Sequence, residues 1–223
     1  MPVDEPLEQA GNLYELMVDV ESHTAGYGPN HPDTLAAAKR LAIAFRDCGE
    51  VAQAIDLLTR ILDQPASSSQ VDDRVRVDLL STLGQMLLEQ GHLEQATLVQ
   101  RKVLEWRIRY AGSDDPSSLD AKADLATLLF ALGEDEEANT LEQEAFESAR
   151  LHLEKTHPVA CILAWNRAAY YDRCGDPDSS RRILITELVW LLAEDPSRLG
   201  KAENRIRSLV SKRLNWDFQT PCQ

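Results

Sequence analysis

Residues 28–62 read GPNHPDTLAAAKRLAIAFRDCGEVAQAIDLLTRIL, and two marks in this stretch decide the fold. His31-Pro32 opens a helical pattern, Gly49 closes it, and a second pattern starts immediately afterwards. Proline is tolerated in a first helical turn because the N–H groups there have no partners anyway. A glycine just past a helix takes the left-handed conformation without a Cβ penalty. The stretch therefore predicts two antiparallel helices, near 33–48 and 51–63.

Overlaying the chain on itself extends the reading. Gly49, Gly91, Gly133 and Gly175 recur every 42 residues, and His31-Pro32, Asp115-Pro116 and His157-Pro158 fall on the same period. Leu41, Leu83 and Leu125 form one column, and Ala42, Gly84, Ala126 and Ala168 form a small one. Phe45, Leu87, Leu129 and Tyr171 form a large one. The second helices repeat Ala54, Ala96, Ala138 and Ser180, followed by Leu57, Val99, Leu141 and Ile183. Small columns let two helices approach closely, and large ones fill the space between them. A fixed period of this length marks stacked helical pairs.

Further pairs are expected near 72–90 and 93–111, 116–132 and 134–154, and 158–174 and 177–194. Asp176-Pro177 and Asp195-Pro196 look like further starts with an aspartate cap. Residues 1–26 resemble an unpaired second helix, with Ala10, Leu13 and Met17 matching Ala54, Leu57 and Ile61. Four units then span 27–195, with PASSSQ at 65–70 as a polar loop inside them. Residues 196–215 form a basic end helix with an apolar stripe of Leu199, Ala202, Ile206, Leu209 and Leu214, and 216–223 form a tail. The end helix would cover the edge of the last unit, as open stacks require. In the tail, Trp216 and Phe218 are read as frayed in preference to self-associating.

The bulk properties exclude whole classes of function. With 43% hydrophobic and 27% charged residues the 223-residue chain has ordinary globular composition. A formal charge of −14 argues against nucleic-acid binding, which needs a basic surface. No apolar run approaches the roughly 18 residues of a membrane span, and the acidic opening MPVDEPLEQA does not read as a secretory signal. Cys48, Cys161, Cys174 and Cys222 make no CxxC pair, so a reduced cytoplasmic protein with free thiols is expected. Arginine and alanine usage fits a GC-rich bacterial genome.

Residues 28–62, THPVACILAWNRAAYYDRCGD at 156–176 and, more weakly, DDPSSLDAKADLATLLFALGEDEEA at 114–138 resemble the tetratricopeptide repeats of kinesin light chains and their bacterial relatives. The resemblance implies an all-α fold, a right-handed α-solenoid of four helix-turn-helix repeats. It also implies a concave groove, lined by the first helices, that holds peptides or helices.

Carried onto this chain, the family's groove positions include Lys39 and Arg40 in the first unit and Asp78, Thr82 and Gln85 in the second. They continue with Asp120, Asp124 and Thr127 in the third and Trp165, Asn166, Ala169 and Arg173 in the fourth. The carboxylate clamp of chaperone-binding members is not matched, since Ile43, Thr82, Asp120 and Asp124 stand where donors are needed. The asparagine pair of kinesin light chains survives only as Asn166. The expected ligand is a basic or amphipathic segment lying on the acidic middle, with Trp165 as anchor.

Residues of chemical type have structural explanations. His31 and His157 sit at equivalent corners, and Glu134 to Glu137 open a helix whose dipole they offset. Trp106 and Trp190 share a second-helix column and read as packing. Neither a phosphate loop nor a nucleophile elbow is present, and no metal or cofactor is expected. The sequence thus predicts a non-enzymatic protein- or peptide-binding scaffold. The alternative is a regulatory or sensor module that holds a signalling peptide or controls a transcription factor or ATPase. Nothing in the sequence supports a homo-oligomer.

Overall fold

The computed structural model describes residues 5–63 and 73–215, with side chains described from residue 12 in the first helix and from residue 74 after the gap. The PASSSQ loop, Cys222 and the tail with Trp216 and Phe218 lie outside the described residues, as does the side chain of Ala10. Every regular element described is helical, and the chain divides into two compact units, 1–106 and 107–223.

The first unit contains α1 (Glu5–Tyr27), α2 (Pro32–Asp47), α3 (Val51–Leu62), α4 (Asp73–Glu89) and most of α5 (Leu93–Ala111), within which the division falls. His31 caps α2, its Nδ1 accepting the Asp33 N–H at 3.3 Å. The Thr34 hydroxyl donates to the Gly28 carbonyl at 2.8 Å and closes the corner. α2 packs against α1, α3 and α4. Leu35, Leu58, Leu79 and Met86 are fully buried there. Burying each such side chain is worth about 1.5–3 kcal/mol. Leu13 of α1 is half-buried, whereas Met17 is exposed.

The second unit contains α6 (Pro116–Leu132), α7 (Asp135–His152), α8 (Pro158–Arg173), α9 (Pro177–Ile183), α10 (Trp190–Ala193) and α11 (Lys201–Leu214). Asp115 caps α6, its Oδ1 accepting the Ser117 N–H at 2.9 Å and the Ser117 hydroxyl at 2.6 Å. His157 caps α8 through the Val159 N–H at 3.2 Å, and Asp176 caps α9 through the Ser179 N–H at 3.0 Å. Asp195 accepts the Ser197 N–H at 2.9 Å and opens a single 3₁₀ turn. The ladder glycines in both units have positive φ: 85° at Gly49, 77° at Gly91, 80° at Gly133 and 75° at Gly175. α11 packs on α8 and α10, burying Ile206 and Val210, while Ala202 of its expected stripe is exposed.

One element departs from expectation. The helix predicted over 177–194 is interrupted by a π turn, Leu184–Leu188, between α9 and α10. The Thr186 hydroxyl donates back to the Arg182 carbonyl at 2.9 Å. Glu187 turns inward to 8% exposure, 3.4 Å from Arg150 Nε and 3.3 Å from Lys155 Nζ. A π turn adds one residue to a helical turn and shifts which side chains face inward. Glu187 stands in the column of the buried Val103 and Ala145, so its inward position follows the repeat, whereas the π turn itself has no mark in the sequence.

Candidate functional site

A cleft of about 240 Å³ opens in the second unit between α6 and α8, with α7 at its floor. Ala123, Ala126 and Ala169 keep it open, because larger side chains at these positions would fill it. Phe130 and Trp165 supply aromatic walls, and Thr127, Asn166, Arg173 and Glu142 supply polar groups. The Arg173 guanidinium lies over the Phe130 ring, Cζ 4.5 Å from its centroid. Arg213 of α11 lies over Trp165 at 5.5 Å and pairs with Asp172.

The polar groups at this cleft are unequally served. Thr127 donates to the Ala123 carbonyl at 3.0 Å, within its own helix. Asn166 and Arg173 have no hydrogen-bond partner among the described residues, and Glu142 Oε1 is buried without one. Glu142 is only 2% exposed, and burial pushes its carboxyl above the usual glutamate range. The nearby positive charges of Arg167 and Arg173 act in the opposite direction.

Arg167, also buried, is fully engaged. It donates to Asn139 Oδ1 at 2.7 Å and to the Tyr171 hydroxyl at 3.3 Å, and its guanidinium lies within 4.8 Å of the Tyr170 and Tyr171 ring centroids.

The groove positions expected from sequence fall into both units. In the first, Lys39 Nζ reaches Asp78 at 2.7 Å and Arg40 reaches Asp19 at 2.6 Å. The Thr82 hydroxyl is buried and donates to the Asp78 carbonyl at 2.9 Å, while Gln85 is exposed. In the second, Asp120 lies 3.7 Å from Arg107, and Asp124 is exposed. Trp165, Asn166 and Arg173 share the cleft. Asp78 and Asp120 are thus already matched by cations of this chain. A larger cleft of about 580 Å³ in the first unit is lined mainly by aliphatic side chains of α3, α4 and α5. Its Arg76 is bound to Asn30 and the Leu62 carbonyl.

Cys161, on α8, is not poised for thiolate chemistry. Cys161 is buried, donates to the Lys155 carbonyl at 3.4 Å, and burial pushes its thiol up to about 11, with the Glu203 charge adding to the effect. Thiolate chemistry needs the opposite environment.

The tetratricopeptide-repeat family profile matches residues 77–117 and 118–159, in tandem and across the helices that build the cleft floor. Residues 77–159 are thus two tandem tetratricopeptide repeats. The fold of the chain is that of kinesin-light-chain-like repeats: an all-α solenoid of consecutive helices. BtubC (BKLC) from P. vanneervenii superimposes with a TM-score of 0.72 at 15% identity, over 95% of this chain and 85% of that one. A Podosopora anserina protein of nearly identical kinesin-light-chain TPR-like repeats gives 0.69 at 19% identity, over 95% and 91%. The apo form of the quorum sensor NprR from B. thuringiensis gives 0.67 at 18% identity, over 93% of this chain and 56% of that one. No curated protein matches the sequence significantly.

Sequence reasoning missed Glu142 and Phe130, because groove positions were carried over from first helices only and Phe130 lies outside the carried set. A signal for Glu142 did exist. One period away in either direction its column holds Gln100 and Leu184, and two periods back Leu58, all buried. A carboxylate in a core column of this repeat protein is out of place by composition alone.

Proposed function

We propose that this tetratricopeptide-repeat protein is a non-catalytic scaffold that binds a protein or peptide segment, with the cleft of the second unit as a principal contact. The observation that carries this reading is the convergence of half-buried Asn166 and buried Glu142 Oε1, neither with a hydrogen-bond partner among the described residues, on one cleft beside Trp165 and the exposed Arg173. Buried or half-buried polar groups are normally satisfied. A ligand with both donors and acceptors would complete Asn166 and Glu142 and could take a further hydrogen bond from Arg173, and an apolar side chain on Trp165 would add the anchor energy typical of aromatic contacts.

The segment is amphipathic in this reading. A strongly basic one has less support, because Asp78 and Asp120 already face Lys39 and Arg107. A cytoplasmic setting fits the free thiols Cys48, Cys161 and Cys174. A sensor role is the second reading, favoured by the fold shared with the quorum sensor NprR. There the same cleft would hold a signalling peptide.

Selection from a library of short random peptides, followed by anisotropy titration of the winners, tests the proposal. Asn166→Ala and Arg173→Ala should each weaken the selected peptides about tenfold, the size of a lost hydrogen bond to a desolvated or charged group. Winners indifferent to both substitutions would place the binding surface elsewhere.

A further inference from the structure

The chemistry of Glu142 says more about the ligand than that it is a peptide, and the inference rests on the proposed binding at this cleft. Glu142 comes from α7, the second helix of its repeat, and reaches the floor of a cleft walled by two first helices. Glu142 lines the cavity at 2% exposure, and its Oε1, closed off from solvent, has no hydrogen bond from any described residue. The charged groups around it are Arg167, which is engaged by Asn139, Tyr171 and two rings, and Arg173, held on Phe130.

The charges lining the cleft, Glu142 and Arg173, cancel. A free cation would meet Arg173 beside its counter-charge, and a free anion would meet Glu142. What the lining lacks is a donor for the Glu142 carboxyl and an acceptor for the half-buried amide of Asn166, beside which the exposed Arg173 offers further N–H groups. Uncharged groups that carry both are hydroxyls and amides, and only an amide places donor and acceptor on separate atoms able to serve two groups apart. Because Glu142 lies at the floor, a side chain reaches it and a main chain, needing room on either side, does not.

We propose that Glu142 forms the floor of a subsite for the uncharged carboxamide side chain of a glutamine or asparagine in the bound segment. The carboxamide N–H donates to the Glu142 carboxyl, and its carbonyl accepts from Asn166 or Arg173. Backbone amides share this chemistry and are the alternative that the test separates.

The test titrates four small probes into the full chain and follows the indole N–H resonance of Trp165, assigned with Trp165→Phe. The probes are propionamide, N-methylacetamide, propionate and propylammonium, each taken to roughly 100 mM because ligands of a few heavy atoms bind weakly. Propionamide should shift the resonance saturably and at least fivefold more tightly than the other three. Glu142→Leu should abolish the effect, and Glu142→Gln, which keeps an acceptor at the same place, should retain it within about threefold. Thermal melts of both variants show that they fold.

Tighter binding of propylammonium or propionate would overturn the carboxamide subsite. N-methylacetamide matching propionamide would reassign the chemistry to the backbone. No saturable propionamide shift, with selected peptides still sensitive to Asn166→Ala, would remove the subsite and leave peptide binding standing. Loss of both would remove the two together.

Discussion

Glu142 and Arg167, buried and opposite in charge, stand in each other's field without an ion pair or hydrogen bond between them. Both occupy positions that other repeats give to buried apolar residues: Leu41, Leu83 and Leu125 for Arg167, and Leu58 and Leu184 for Glu142. The chain has met the needs of one member only. Arg167 is hydrogen-bonded and stacked, whereas Glu142 is left to the cleft.

Replacing Glu142 should therefore stabilise the free protein. A buried group without a partner costs about 1–3 kcal/mol, and an apolar side chain of similar size removes the cost. Glu142→Leu is expected to raise Tm by several degrees and Glu142→Gln by less. A lower Tm for Glu142→Leu, with cooperative unfolding retained, would show that the carboxyl is served in some other way.

Arg167→Leu should act in the opposite direction and cost about 2–4 kcal/mol, since it strands Asn139 and removes the positive charge nearest to Glu142. In the Glu142→Leu background the same change should cost less, because the stranded carboxylate is gone. Urea denaturation of the four proteins in the cycle gives the coupling energy. Simple additivity would mean that the two charges do not interact.

Two carboxyls give stability slopes of opposite sign with pH. Glu142 is raised in the folded state, so its penalty is present above that raised value. The penalty is relieved as pH falls towards 4.5, the ordinary glutamate value. Asp115 is lowered, first by the Ser117 hydroxyl and then by the Ser117 N–H. Its contribution is present above 3.8 and is lost as pH falls further, through the depressed value. The gain in Tm from Glu142→Gln should shrink between neutral pH and 4.5, while the loss from Asp115→Ala should shrink only below 3.8. Melts across this range with the wild type as reference would expose a wrong assignment at either residue.

Capping and the glycine ladder can be measured at the third unit. Asp115→Ala removes the acceptor for the Ser117 N–H and should cost about 1 kcal/mol. Gly133→Ala places a Cβ on a residue at φ 80°, with open space around it, so only backbone strain enters and the expected cost is about 1–2 kcal/mol. A neutral result at Gly133 would mean that the corner relaxes to a different turn.

The fold was legible because its determinants are local and periodic. The glycines at 49, 91, 133 and 175, the proline starts and the aspartate caps each act within one turn, and each appears where its residue type requires. Gly28 and Gly112, also at positive φ and 84 residues apart, belong to the same class but follow α1 and α5, outside the 42-residue ladder that closes the first helices. The cleft was half legible. Trp165, Asn166 and Arg173 lie on a first helix, where family resemblance directs attention. Glu142 approaches from behind, on a second helix, and its isolation depends on which hydrogen bonds Arg167 makes with other residues. The π turn at 184–188 was illegible for a similar reason, since it accompanies contacts of Glu187 with Arg150 and Lys155, more than thirty positions away.

The central claim, that a peptide segment binds in the cleft beside Trp165, is tested most directly by NMR. Selected peptides are titrated into the labelled protein while the Trp165 indole resonance is followed, with Asn166→Ala run in parallel. The account predicts saturable displacement of that resonance at the affinity seen by anisotropy, weakened about tenfold by Asn166→Ala. An unmoved Trp165 resonance at saturating peptide would contradict it.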